Sequence, residues 1–387
     1  MSDRIRLVAV GHSYVVGMNR SILRHLASRE NFDVTVIAPE RFPSELGTIQ
    51  CEQEPADSPL RVLPARINRG RWIYVFGYEA ASLTSQFCRD VDIVYAWEEP
   101  YIYAGYQIAR LVPAHVAYAF RTAQSLPKRY PPPFDYFEKT CVRRADGWVA
   151  GGNLVFENAT SRGYPAERGR MITLAVDTRA FRPLNDEERR RIRDRLGLKQ
   201  PVLGYLGRLT RAKGIEVMLR ALEMIGTKRD WSLLVLGRGP AEQQIHEWAR
   251  RHGWTDRVVI RLVPHGEVPA CLPAMDLMLA PSLTSRGWKE QFGRMVIEAF
   301  ASGVPVIASN SGELPHVIGD AGWVVPEGDA EALAAAIASA LADPDRRAAV
   351  ARKGLARANE YSTSTVGGRF AQFYRELIEA RRAARAA

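Results

Sequence analysis

Two glutamates eight residues apart, Glu290 and Glu298, enclose the run Gln291-Phe292-Gly293-Arg294. Carboxylates accept hydrogen bonds from the hydroxyls of sugars and ribose, while the free N–H groups of a helix start bind phosphate or sugar oxygens. A second group, Arg208, Arg211 and Lys213, crowds the loop Gly207 to Gly214 between an apolar run and a helical pattern. Cations at a helix start are disfavoured by the macrodipole by about 0.3–1 kcal/mol each, a cost that a bound anion offsets. Taken alone, each group has a bland reading as well: solvated or salt-bridged glutamates, and a solvated basic loop.

The elements that must position these residues follow from hydrophobic patterning. Short apolar, β-rich runs alternate with amphipathic runs, which is the pattern of parallel sheets covered by helices, so the chain is read as α/β throughout. Strands are expected near 6–10, 33–37, 93–95, 115–119 and 148–150, then near 202–206, 232–236, 258–262, 277–280 and 304–308. The pattern breaks at Phe181-Arg182-Pro183 and becomes strongly charged from Asn185, which divides the chain into domains 1–183 and 184–361, with a helix about 362–387 packing back on the first. The basic loop then follows a strand and precedes a helix, at the strand end where open parallel sheets bind ligands. Glu298 falls inside a helix, and its Cα–Cβ bond tilts toward the helix start that holds Gly293.

Composition narrows the class. The 387 residues are 47% hydrophobic and 25% charged, as in ordinary globular proteins. The net charge of +10 favours polyanionic partners such as nucleotide or lipid phosphates. Arg61, Arg66, Arg69 and Arg71, leading into Trp72, Tyr74 and Phe76, are read as a solvated basic loop or as a contact with an anionic membrane surface. No nucleic-acid module accompanies the charge. Cys51, Cys88, Cys141 and Cys271 are scattered without metal spacing, which argues for reduced thiols. Lacking a long apolar segment or a signal-peptide pattern, the chain is expected in the cytoplasm, with peripheral contact at the inner face of the membrane as an extension.

The ordered set Gly207-Arg208, Lys213-Gly214, Glu290 to Glu298, Gly303-Val304-Pro305-Val306-Ile307-Ala308 and Gly312-Glu313-Leu314-Pro315 resembles the C-terminal domain of glycosyltransferase family 4. That resemblance implies a GT-B fold: two facing Rossmann-like domains with the active site in the cleft between them. It implies retaining, metal-independent transfer of a hexose-type sugar from a nucleotide-diphosphate sugar to a glycan, lipid-linked or small-molecule acceptor, in polysaccharide or glycoconjugate synthesis. On this resemblance Glu290 binds donor-sugar hydroxyls and Glu298 the ribose, with Gln291, Phe292, Gly293 and Arg294 assisting. Arg208 and Lys213 hold the diphosphate and neutralise charge as the glycosidic bond breaks. The nucleotide base is expected on backbone groups of 262–266.

In the first half, Gly17 is similar in position to the family's phosphate-closing glycine. The family histidine is replaced by the run Arg121-Thr122-Ala123-Gln124, so Arg121 or Gln124 is a candidate on the acceptor side, together with His12, Glu98 and Glu99. Asp90-Val91-Asp92 matches a metal-binding D-x-D but precedes a strand, at the edge opposite the ligand side. Gly237-Arg238-Gly239 and its neighbours depart from a dinucleotide fingerprint at Glu242. A sugar-nucleotide epimerase and a non-catalytic sugar-nucleotide-binding scaffold are the alternative functions.

Overall fold

A computed structural model describes residues 4–44, 47–70, 72–226 and 230–386; Arg71 of the basic cluster lies outside them. The chain divides into one unit made of Met1–Ala175 with Thr363–Ala387, and a second of Val176–Ser362.

The first unit is built on a seven-stranded sheet. Its strands are β1 (Ile5–Val10), β2 (Phe32–Pro39), β3 (Arg61–Ala65), β4 (Ile93–Ala96), β5 (Ala117–Thr122), β6 (Gly147–Ala150) and β7 (Gly169–Met171). They run in the order β7-β6-β5-β4-β1-β2-β3, and every pairing is parallel. The near-continuous apolar strands match this arrangement: β4 and β5 are buried along their whole length, as strands covered on both faces must be. The helix Thr363–Ala386 belongs to this unit, where Phe370 and Tyr374 pack on Tyr95 of β4.

Two expectations shift here. The strand expected at 115–119 begins at Ala117 and continues to Thr122, because Val116 N–H closes a turn on the Pro113 carbonyl (3.1 Å). Arg121 and Thr122 are therefore buried strand residues. The basic cluster is not one loop either. Arg61 opens β3 and its guanidinium donates to Thr35 Oγ1 (2.8 Å), while Phe76 is fully buried and Arg66, Arg69, Trp72, Ile73 and Tyr74 stand exposed.

The second unit has a parallel six-stranded sheet. Its strands are β8 (Val202–Leu206), β9 (Ser232–Leu236), β10 (Val258–Arg261), β11 (Leu277–Ala280), β12 (Val306–Ser309) and β13 (Trp323–Val325). The order is β10-β9-β8-β11-β12-β13. Residues 176–183, assigned to the first domain on sequence, lie in this unit. Val176 N–H donates to the Tyr361 carbonyl (2.9 Å), Phe181 lies 6.0 Å from the His265 ring, and Pro183 packs against Gly303. The loss of pattern at Pro183 marks the end of this tie rather than the boundary itself.

Candidate functional site

In the second unit the two sequence groups meet. The loop after β8 passes through the short turn Arg211–Lys213 into the helix Ile215–Ile225. Gly214 sits at φ +71° between turn and helix, and a Cβ there would overlap the Pro281 carbonyl oxygen. Only glycine accepts both the left-handed backbone and this close approach. The result docks Lys213 beside the loop that follows β11, an approach reinforced by Leu283 N–H donating to the Ala212 carbonyl (2.8 Å).

Lys213 Nζ forms an ion pair with Glu290 Oε2, which also accepts from Ser282 Oγ at 3.1 Å. Lys213 lies 4.9 Å from the Trp288 ring centroid, within range of a cation–π contact. Both pair members are largely buried, with side-chain exposures of 13% and 9%. The backbone of Glu290 is pinned in turn: its carbonyl accepts from Glu313 N–H (2.9 Å), and Gly312, at φ +59°, has no Cβ to strike that carbonyl. Among the described residues both side-chain contacts of Glu290 fall on Oε2, leaving Oε1 available.

Glu298 is 4% exposed on the helix Arg294–Ala301, whose N-cap is Gly293 at φ +86°. Its Oε1 is 2.9 Å from His265 Nε2, and that imidazole is one-third exposed. Its other oxygen has no side-chain partner among the described residues. Phe292 is buried against Tyr361, whereas Gln291 is exposed and Arg294 half-buried. Arg208 is exposed, and its carbonyl accepts from the Tyr205 hydroxyl (2.7 Å). Burial, then the Glu290 charge, push that phenol far above its ordinary range. Among the described residues, Glu290 and Glu298 thus each place their side-chain contacts on a single oxygen, Glu290 beside Lys213 and Glu298 beside His265.

His265, Ser282 and Trp288 were missed as side chains on sequence. His265 falls in the 262–266 segment singled out for backbone contacts, and a lone loop histidine carries no periodic signal.

The first unit keeps its candidates near the C-terminal ends of β1, β4 and β5. Glu98, with a side chain fully buried, accepts from His12 N–H and Tyr78 Oη on Oε1, each at 2.6 Å, and its Oε2 lies 2.6 Å from His12 Nδ1. Glu99 accepts from Ala123 N–H (2.7 Å) and Thr122 Oγ1 (2.8 Å). Burial outweighs these bonds and pushes its pKa up to about 7. Arg121 is buried, stacks over Trp97 with 5.3 Å to the centroid, and meets no carboxylate among the described residues. Gln124 spends its side chain on the loop itself, donating to Tyr130 Oη and accepting from Leu126 N–H, both at 3.0 Å. Gly17 has its N–H bonded to Glu52 Oε2 (2.6 Å), so this amide is occupied by a carboxylate where the resemblance wanted a phosphate.

Asp92 receives Arg6 N–H (2.9 Å) and Arg382 (2.6 Å), and Asp90 pairs with Arg6, at the N-terminal strand edge. No cluster of three metal-ligating side chains occurs among the described residues, nor is any helix there long and apolar enough to cross a membrane.

The profile described as glycosyl transferases group 1 matches residues 186–357, which contain the whole Lys213, Glu290 and Glu298 arrangement. The match covers less than half of the chain and lies within its second unit. A GDP-mannose-dependent α-(1-6)-phosphatidylinositol monomannoside mannosyltransferase of Mycolicibacterium smegmatis is 36% identical over 220 residues, covering 55% of this chain and 56% of the relative. The chain therefore spans little more than half the length of that curated relative. Solved structures extend the likeness to the whole fold. A glycosyltransferase from Rickettsia africae aligns over 97% of this chain and 99% of its own, with TM-score 0.77 and 18% identity. Anabaena HepE in complex with UDP aligns over 95% and 99%, with TM-score 0.73 and 18% identity. The fold is the two-domain α/β GT-B fold.

Proposed function

We propose that this protein transfers a hexose-type sugar from a nucleotide-diphosphate sugar to a hydroxyl of a glycan, lipid-linked or small-molecule acceptor, with retention at the anomeric carbon and without a metal. The observation that carries this reading is the buried Lys213–Glu290 pair beside Ser282, with one Glu290 oxygen left over. A sugar hydroxyl donates to that oxygen, while the Lys213 charge lies next to it to neutralise the departing diphosphate. Arg208 adds a second, exposed cation on the same loop. Glu298, steadied by His265, accepts from the ribose. The group 1 family and the mannosyl-transferring relative support transfer chemistry, and the UDP complex of HepE supports a nucleotide donor.

The chain's synthesis role is read as glycoconjugate or cell-surface polysaccharide assembly at the inner face of a membrane. The exposed tip at Trp72, which is 71% exposed, together with Ile73 and Tyr74 beside Arg66 and Arg69, supports a peripheral contact with anionic lipid. Sedimentation with phosphatidylglycerol vesicles tests this, and a Trp72→Ser chain that sediments as well as wild type removes it.

The reading as a whole is tested by thermal stabilisation with UDP, GDP, dTDP and ADP in EDTA. A ligand at 100 times its dissociation constant adds about 2.7 kcal/mol. Product analysis by NMR with the nucleotide sugar that binds then identifies the reaction. An α-glycoside from an α-linked donor supports the proposal; an isomerised sugar nucleotide, or binding with no turnover, defeats it.

A further inference from the structure

Arg121 stands one residue before the C-terminal end of β5 and is 5% exposed. A guanidinium taken out of water needs an anion or a set of acceptors, because desolvation otherwise disfavours its charge strongly. Among the described residues neither a carboxylate nor a carbonyl accepts from it. Its neighbours are aromatic. The Trp97 ring lies 5.3 Å from Arg121 Cζ, a cation–π contact that attracts the charge without neutralising it. Burial pushes the Tyr95 phenol up to about 12 and the Tyr14 phenol far above its ordinary range, both against the pull of the Arg121 charge, so both stay neutral. Glu98 and Glu99, which leave β4 beside Trp97, spend their oxygens on His12, Tyr78, Thr122 and Ala123.

Strand β5 pairs with β6, which sets Arg121 opposite Val149. Gly151 follows two residues later and so falls on the same face. A Cβ there would come within 2.8 Å of Arg121 Nη2. The guanidinium therefore rests against bare backbone, immediately ahead of the nine-residue helix Asn153–Ser161, whose N-terminal dipole favours negative charge. Trp97, the cover over the guanidinium, is itself only half-buried.

We propose that the first unit carries an anion site of its own at this strand end, which takes the phosphate group of a phosphate ester. Arg121 binds two phosphate oxygens through its planar fork, and the helix start faces the third. A carboxylate would spend both its oxygens on the fork and leave the helix start without a partner. All the residues named lie in the first unit, so the proposal stands whether or not the transferase reading does.

The ¹⁵N-arginine spectrum of the full chain tests it, with Arg121 Nε–Hε assigned by its absence in Arg121→Met. Titrated at constant ionic strength, glycerol 3-phosphate should shift this resonance to saturation and acetate should not. Inorganic phosphate is the third arm: a response to it without one to the ester overturns the assignment of an ester. The response to glycerol 3-phosphate should persist in Lys213→Met, which alters only the second unit. Gly151→Ala should fold normally, since its Cβ meets only the end of a flexible side chain, and should weaken the ester about tenfold by pushing the fork aside.

Thermal unfolding separates this role from a structural one. Without phosphate, Arg121→Met should unfold at or above the wild-type temperature, because an apolar side chain replaces an uncompensated buried charge. Glycerol 3-phosphate should then raise the wild-type Tm by more than that of Arg121→Met. The proposal is overturned by an Arg121 resonance that no phosphate shifts, by an equal response to acetate, or by a response lost in Lys213→Met. A marked loss of stability in phosphate-free Arg121→Met also overturns it, since Trp97 and Tyr95 would then satisfy the guanidinium by themselves.

Discussion

Replacing Glu298 by alanine removes the group that the proposed site assigns to the ribose. The carboxylate is 4% exposed and gives one oxygen to His265 at 2.9 Å, so one oxygen remains for a ligand hydroxyl. A hydrogen bond to a charged group is worth about 1.5–3 kcal/mol net. At about 1.4 kcal/mol per decade, the dissociation constant of the preferred nucleotide should rise about 10- to 100-fold. The folded state should tolerate the change: position 298 lies within a helix, alanine is the strongest helix former, and the lost His265 contact is partly exposed. Calorimetric titration of wild type and Glu298→Ala with that nucleotide, in EDTA, measures the ratio, and thermal unfolding without ligand serves as the control. An affinity within twofold of wild type, with unchanged unfolding, would refute the ribose assignment.

Lys213→Met should lower turnover far more than ground-state nucleotide affinity, because its charge acts on the diphosphate as it departs; equal losses in kcat and in binding, by steady-state kinetics against calorimetry, would count against that role. Gly214→Ala should destabilise by at least about 1–2 kcal/mol, the cost of a left-handed residue carrying a Cβ, with the overlap on the Pro281 oxygen added; urea unfolding at wild-type midpoint would refute it. Glu99 holds its proton to about pH 7 when folded but releases it near 4.5 when free, so the native state binds more protons in that window and this residue makes stability fall as pH rises through it. Glu99→Gln should therefore gain on wild type in urea midpoint between pH 5 and pH 8, and a constant difference would show that Glu99 does not titrate there.

The local elements were legible because their signals are local. The run of the helix Arg294–Ala301 places Glu298 on the first turns after Gly293, and the alternation of apolar and amphipathic stretches announces both parallel sheets. Strands β3, β7 and β13 escaped notice for the same reason. Two of them are three residues long, and β3 begins with an arginine whose charge disguises an edge strand until Thr35 is brought beside it. Gln124 and Gly17 looked available because a sequence shows a side chain or an amide without its partner. Tyr130 and Glu52 are the partners that the fold supplies.

The sequence by itself determined the α/β class and the two strand-to-helix loops that carry Lys213 and Glu290 in the second unit, while the division expected after Pro183 falls after Ala175. Tertiary structure alone decided which charges face each other. Lys213 finds Glu290 across 77 residues, His265 finds Glu298 across 33, and His12 finds Glu98 across 86. These meetings depend on strand order: β8 lies beside β11, and β1 beside β4, although neither pair is consecutive in the chain. Parallel pairing carries the C-terminal ends of neighbouring strands to one edge of the sheet, and no local propensity records which strands become neighbours.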